Sequence, residues 1–435
     1  METETAMDTI ADDAAQIEQM PRFADGSVNL QELFRSLAER VVNEVMAAEA
    51  EQLCGETGNS RNGFRERKLN TCVGTLTLRI PKLRSGSFFP DDVIERYQRT
   101  DRALVAAVAE MYATGTSTRK VAKVAEALGV ARLSKDQVSA IAQSLDADVA
   151  ELLGRPLGGL DTPYLWLDAT YVKCRREGRV ASTAVVTAIG CDREGYRRVL
   201  GVSVVDTESE GSWASFLRGI KSRGVRGVRL VVSDAHQGLV SAIASTFQGA
   251  AWQRCAVHLM RDCMRECPSR GARKRVGRIL STVFRAKDPD LCRAMRHAAV
   301  GMVAAVSARA ARVLEEAECD ALAYPGFPAS HWKRLRTDNV QERCNREIKR
   351  RTRVVQVFPS VKSLERLAGA VMCEVDEAWS ASRYFDERKV DELCDGHRPG
   401  RAAAESAAKD MDKVREDARR MLEAAVELAD RVEEK

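Results

Sequence analysis

The sequence predicts a multidomain α+β protein: a helical N-terminal region, a mixed-sheet core with an all-α insertion, and a helical C-terminus. Three observations predict it. Residues 160–260 carry five short apolar, branched runs of strand length. The segments on either side repeat apolar residues at helical spacing. The basic residues gather in three separated blocks on a chain whose net charge is only +5.

The elements follow in order. Residues 1–26 are acidic and aperiodic, and read as a mobile tail. Leu30, Leu33, Leu37, Val41, Val45 and Ala48 then recur at helical spacing. Residues 58–90 are basic and turn-prone. Within them Thr75–Ile80 alternates as a short strand that Pro81 is expected to end. Together residues 27–99 form the N-terminal helix and basic stretch.

Residues 100–155 return to helix. Here "GTSTRKVAKVAEALGVARLSKDQVSAIAQSL" has the form of a helix-turn-helix. Val121, Val124 and Leu128 are expected to point inward from its first helix, and Gly129 makes the turn. Ser134 with Gln137 forms a capping box at the second, whose buried stripe is Val138, Ile141 and Leu145. The N-terminal side chains of such a helix, Lys135, Asp136 and Gln137, can enter a major groove. An ordinary helical hairpin fits the same pattern.

The five strand-like runs are Tyr164–Cys174, Val180–Cys191, Tyr196–Val205, Val228–Ser233 and Ala250–Cys255. Helical segments Gly211–Arg223 and His236–Phe247 follow the third and the fourth. Short turns predict a meander for the first three strands, and the strand–helix–strand passage predicts parallel pairing. This is the order of a ribonuclease-H-like core, assigned to residues 160–258. An all-helical insertion (259–330), a completing segment with a basic helix (331–390) and a C-terminal helix (400–435) follow.

In that order the first and fourth strands are parallel neighbours, so Asp168 and Asp234 come together. Two like charges so placed call for a cation between them. Mg²⁺, with Mn²⁺ as substitute, suits paired carboxylates and phosphate oxygens. A third acid is expected on the basic helix of "TDNVQERCNREIKRRTR", which carries Asp338, Glu342 and, further round, Glu347; Asp338 and Glu342 are four residues apart and can share a face.

Composition limits the function classes. No apolar run approaches a membrane span, and no signal peptide is evident, so a cytoplasmic, nucleoid-associated protein without membrane partners is expected. Twelve scattered cysteines suit reduced thiols. The basic blocks (seven Lys or Arg in 61–84, nine in 254–285, nine in 331–353) suggest several contacts along a polyanion. The expected contacts are Arg61, Arg65, Arg67, Lys68, Lys82, Arg84, Arg119, Lys120, Lys135, Gln137, Arg346, Lys349, Arg350 and Arg351. Solvated helix faces are the plainer reading of any one block.

The stretches "RNGFRERKLNTCVGTLTLRIPKLRSGSFFP", "LSKDQVSAIAQSLDADV", "LDATYVKCRREGRV", "VVSDAHQGL", "WQRCAVHLMRD" and "TDNVQERCNREIKRRTRVVQVFPS" resemble the Mutator-type family of bacterial insertion-sequence transposases, from about Leu30 to about Tyr384. The resemblance implies a DDE transposase with a ribonuclease-H-like core that cleaves and joins DNA with Mg²⁺. Its partners are double-stranded DNA, as terminal inverted repeats and target, and no small-molecule substrate. It implies Asp168, Asp234 and Glu342 as catalytic, metal-binding acids. Asp338 departs from the family pattern, which more often has an uncharged polar residue there. A nuclease or resolvase that does not join strands, or a non-catalytic DNA-binding derivative, are the competing readings.

Cys255 and His258 have metal-ligand spacing, with Cys263 and Cys267 following, a set that would suit Zn²⁺. The family shares the Cys-x-x-His pair without a zinc site, and bracing the sheet edge is the alternative. His236 either reaches a phosphate or is a structural histidine at a helix start. Met411, Val414, Ala418, Met421, Ala425, Leu428 and Val432 trace a weak coiled-coil seam. A homodimer is expected, with this helix or the Leu30–Leu53 helix contributing; packing of the C-terminal helix on its own chain is the alternative.

Overall fold

The computed structural model describes residues 20–90, 100–130, 133–159, 161–395 and 410–433. They form two compact units, divided between Leu145 and Asp146.

In the first unit, helix α1 (Leu30–Thr57) starts where the Asn29 side chain accepts the Glu32 N–H, and stops at Gly58 in the left-handed region. Strands β1 (Arg61–Thr71) and β2 (Gly74–Leu83) pair antiparallel. The strand is longer than its sequence suggests: Pro81 lies inside it, opposite Phe64. The missing N–H is tolerated where the ladder shifts register, between Arg61 and Phe64. Leu76, Leu78 and Ile80 alternate into a core with Met46 and Leu69. The Asn43 amide donates to the Thr77 carbonyl (3.1 Å) and accepts the Arg79 N–H (2.6 Å), and Glu39 accepts the Thr77 N–H. These bonds close the outer edge of β2.

Helices α2 (Arg102–Ala113), α3 (Thr118–Ala127) and α4 (Lys135–Ala142) close around Leu104, Val108, Val121, Ala125, Val130, Leu133 and Val138. Gly129 turns the chain with φ +73°. Ser134 and Gln137 make the reciprocal bonds of a capping box, 3.1 and 2.8 Å. Two details differ from the pattern read in sequence. Val124 and Leu128 are exposed, because Val121 and Ala125, one turn apart, already fill the space facing α2 and α4. Helix α4 ends at Ala142, and Leu145 opens a new helix, α5 (Leu145–Gly154).

Helix α5 belongs, beyond its first residue, to the second unit, so the division falls earlier than residue 155. Asp146 pairs with Arg366 at 2.6 Å, and a Cβ on Gly369 would stand 2.4 Å from Val149. The sheet of this unit has the order β5-β4-β3-β6-β7. Strands β3 (Tyr164–Arg176), β4 (Arg179–Cys191) and β5 (Arg197–Val205) form an antiparallel meander. Strands β6 (Leu230–Ser233) and β7 (Ala251–Arg254) run parallel to β3. Helices α6 (Glu210–Ser222) and α7 (Gln237–Thr246) cover one face, burying Trp213, Leu217, Leu239 and Ile243 against Leu165 and Leu167.

Four helices follow β7: α8 (Ala256–Arg265), α9 (Arg270–Val283), α10 (Pro289–Ala304) and α11 (Ala308–Glu316). Short α12 (Trp332–Leu335) leads into α13 (Asn339–Val355) and α14 (Val361–Ser380), which cover the other sheet face. Helix α15 (Glu387–Cys394) and α16 (Met411–Glu433) end the described chain. Helix α16 packs on α9 and α10 of its own chain. Ala418 and Leu422 point inward while Met411 and Met421 stay exposed, so the side expected to form an intermolecular seam is split. No helix among the described residues is long and apolar enough to cross a membrane.

Candidate active site

Period-two alternation decides which way β3 presents its acid. Leu165 and Leu167 face α6 and α7, so Trp166 and Asp168 face α13. Strands β3 and β6 pair at Tyr164–Leu230, Leu165–Val231 and Trp166–Val232. Asp168 and Asp234 each stand two residues past that last rung.

Asp168 is 9% exposed. Its Oδ1 accepts the Ala169 N–H at 2.9 Å, and its Oδ2 accepts the Asn345 amide at 2.6 Å. Burial, joined by the charges of Asp234 and Glu208, raises its pKa to about 7, against the pull of the Ala169 N–H and Lys349. Asp234 accepts the His236 N–H at 3.2 Å, which turns the chain from β6 into α7. His236 itself is exposed at the helix start, and its side chain makes no capping bond.

Helix α13 brings the third group. Its buried face carries Gln341, Asn345 and Ile348 at helical spacing. The Gln341 amide donates to the carbonyls of Trp166 (2.7 Å) and Thr187 (3.1 Å), while its oxygen accepts the Thr187 hydroxyl (2.8 Å). One fully buried side chain thus ties the helix to β3 and β4 at the rung Asp168–Thr187. Glu342, on the next position, is half-buried and pairs with Arg261 of α8 at 2.8 Å.

Asp338 sits at the N-cap of α13 yet makes no capping bond. It is completely buried, and neither carboxylate oxygen has a hydrogen-bond partner among the described residues. Burial, then Asp168, Cys255, Asp234 and Glu342, push its pKa well above the ordinary carboxylate range. Its backbone N–H donates to the Cys255 sulfur at 3.3 Å, and the Cys255 N–H donates to the Ser233 carbonyl at 2.7 Å. Cys255 therefore joins the ends of β6 and β7 to the start of α13. His258 is partly buried with Nδ1 unpartnered, and the Cys267 thiol bonds the Cys263 carbonyl.

As the side chains stand, no three His, Cys, Asp or Glu among the described residues already face one ion position. Asp168 is turned to Asn345 and Glu342 to Arg261. The donor chemistry nonetheless fits a hard divalent cation: the charges of neighbouring acids raise the pKa of Asp168 and of Asp338, and Asp338 is a buried carboxylate with no hydrogen-bond partner among the described residues.

Of the expected DNA contacts, Arg65, Lys68, Lys82, Arg84, Arg119, Lys120 and Gln137 are exposed on the first unit. Arg61 pairs with Glu51, and Arg67 lies over the Phe89 ring. The Lys135 side chain lies outside the described residues. On α13, Arg346, Lys349 and Arg350 are exposed, Arg350 beside Glu347. Arg351 is not a surface contact: it is 6% exposed and makes paired bonds to Glu374 of α14. Gln341 and Asn345 escape a sequence reading that takes the basic helix for a surface helix. Their signal was polar residues at the positions where an amphipathic helix would be apolar.

The family model "Transposase, Mutator family" matches residues 2–382. The transposase for insertion sequence element IS1081 of Mycobacterium tuberculosis is 39% identical over 362 residues, 81% of this chain and 87% of the relative. That for IS256 in transposon Tn4001 of Staphylococcus aureus is 36% identical over 358 residues, 81% and 91% respectively. That for IS406 of Burkholderia multivorans is 39% identical over 326 residues, 74% and 83%.

Proposed function

The chain belongs to the Mutator family and is a bacterial insertion-sequence transposase, and from that premise we propose that Asp168, Asp234 and Glu342 form its metal-binding catalytic triad. The observation that carries this is the pairing of β3 with β6, which brings Asp168 and Asp234 to the same level of two neighbouring strands, while Gln341 ties the Glu342 helix to Trp166 of β3 and Thr187 of β4. The strand order β5-β4-β3-β6-β7 supports a ribonuclease-H-like core.

Asp168, Asp234 and Glu342 would hold Mg²⁺ or Mn²⁺, which would supply polarisation of an attacking oxygen and offset charge on the leaving one. Asn345 holds the Asp168 carboxylate in place, and Lys349 and Arg346 on the same helix meet the phosphate backbone. Water attacks the phosphodiester at an element end. The P–O3′ bond breaks, and the freed 3′-hydroxyl displaces a 3′-oxygen at a second phosphodiester.

The exposed basic side chains of the first unit, with α4 in the major groove, bind the terminal inverted repeats. Joining two ends in one reaction calls for two subunits, so the enzyme works as a homodimer on DNA in the cytoplasm. Leu30, Phe34, Leu37, Val41 and Val45 make an exposed stripe on α1 that suits this contact better than α16 does. The test is an assay on duplex element ends with Mg²⁺ or Mn²⁺, scoring both nicking and strand joining. Nicking without joining would reduce the enzyme to a nuclease, and neither, under binding conditions, would overturn the triad.

A further inference from the structure

An aspartate at a helix N-cap ordinarily accepts the N–H groups two or three residues on. Asp338 forgoes that bond although the amides of α13 are adjacent, and its carboxylate is turned into the protein instead. It is fully buried there, and among the described residues both oxygens lack hydrogen-bond partners. The ionisable groups that act on it most strongly are Asp168, Cys255, Asp234 and Glu342, three carboxylates and a thiol. An isolated carboxylate in that setting is costly to bury, and costlier still among other acids. A bound cation would offset that cost, and carboxylate oxygens are the ligands a hard divalent ion takes.

We infer that Asp338 is a fourth carboxylate ligand of the metal site, standing with Asp168, Asp234 and Glu342. This rests on the metal-binding role proposed for those three residues. Asp338 is the N-cap of α13 and Glu342 lies four residues on, in its first turn, so this end of the helix offers two carboxylates to the sheet's two. The Asp338 backbone N–H bond to Cys255 fixes this turn against the end of β7. The Cys-x-x-His segment thereby acts as a support for the metal site.

The test uses the full-length protein and Mn²⁺ alone, with free Mn²⁺ counted by electron paramagnetic resonance. Asp338→Asn, Asp168→Asn and Asp234→Asn are compared with wild type. The expected result is a rise of roughly tenfold or more in the Mn²⁺ Kd for each variant. Thermal unfolding in EDTA checks the fold: Asp338→Asn, which removes an unpartnered acid, unfolds at or above the wild-type temperature and gains less from added Mn²⁺. Should that variant not fold, Asp338→Ser takes its place. If Asp168→Asn and Asp234→Asn weaken Mn²⁺ binding while Asp338→Asn binds as wild type does, the fourth ligand is overturned and the triad stands. If none of the three changes binding, the triad itself falls.

Discussion

Asp168 and Asp234 each lie two residues beyond the last paired rung of β3 and β6, Trp166 with Val232, so the two carboxylates leave the sheet at the same level. Neither strand holds both acids, and the parallel pairing is what makes them neighbours. Asp168→Asn, Asp234→Asn and Glu342→Gln should each cut cleavage by at least about a hundredfold, the scale of one positioned catalytic group. Binding to element ends should remain within about twofold of wild type. Gel assays of nicking beside mobility shifts check both.

Asn345 holds the Asp168 carboxylate at 2.6 Å. Asn345→Ala should lower cleavage roughly tenfold or more by freeing that carboxylate. The loss should appear in kcat rather than in affinity for DNA. Equal activity in Asn345→Ala would show that Asp168 needs no such support.

The raised pKa of Asp168 has a defined sign. A carboxyl titrating near 7 when folded and near 3.8 when unfolded keeps its proton preferentially in the native state between those values. Its contribution to stability is fully present below about pH 3.8 and is lost as pH rises through about 7. The metal-free protein should therefore lose on the order of a few kcal/mol from this group over that window. Urea unfolding in EDTA at pH 5 and pH 7.5 measures it. The difference between the two pH values should shrink in Asp168→Asn, and Mn²⁺ at pH 7.5 should restore the wild type.

Arg119 and Lys120 are exposed at the start of α3, and Gln137 is exposed in the first turn of α4. Arg119→Ala and Lys120→Ala should weaken binding to all sequences alike, each lowering the salt slope by about 1. Gln137→Ala should relax sequence preference instead. Titrations on element-end and scrambled duplexes at several salt concentrations distinguish the two behaviours.

Leu422 is fully buried where α16 meets α9 and α10. Leu422→Ala should destabilise the second unit by about 2–5 kcal/mol, while light scattering of the folded protein gives the wild-type mass. On α1, Leu37→Glu with Val41→Glu should lower that mass to a monomer's and leave unfolding nearly unchanged, because both residues are already exposed.

Much of the second unit was legible in the sequence because strand signals are local. Runs such as Leu230–Ser233 and Val199–Val205 announce themselves by branched apolar residues, and their order with the intervening helices suggests the sheet. The strand aspartates could be found for the same reason: a charge inside such a run stands out. Gln341 and Asn345 did not, since a helix dense in Arg and Lys looks solvated whatever it packs against; Asp338 was visible as an acid beside Glu342, but not its complete burial. Arg351 misled in the same way, because its partner Glu374 lies on another helix. The length of β1 was hidden by its polar composition; it folds because α1 and β2 supply the apolar side. The C-terminal helix carried two apolar sides, and only tertiary packing chose Ala418 and Leu422.

The Gln341 clamp has a consequence for quality control. Its amide touches the Trp166 carbonyl on β3 and both the carbonyl and hydroxyl of Thr187 on β4, so it reads how those two strands are aligned. A one-residue slip would swap the faces of β3, sending Asp168 to the side where Leu165 and Leu167 pack and withdrawing the groups that Gln341 grips. Helix α13 would then have no seat, and Glu342 would arrive nowhere near the sheet's acids. A mispaired chain is thus disarmed by its own architecture. The side chain that docks the helix therefore also checks the strand register, and on the proposed triad a mis-registered chain would never assemble its active site.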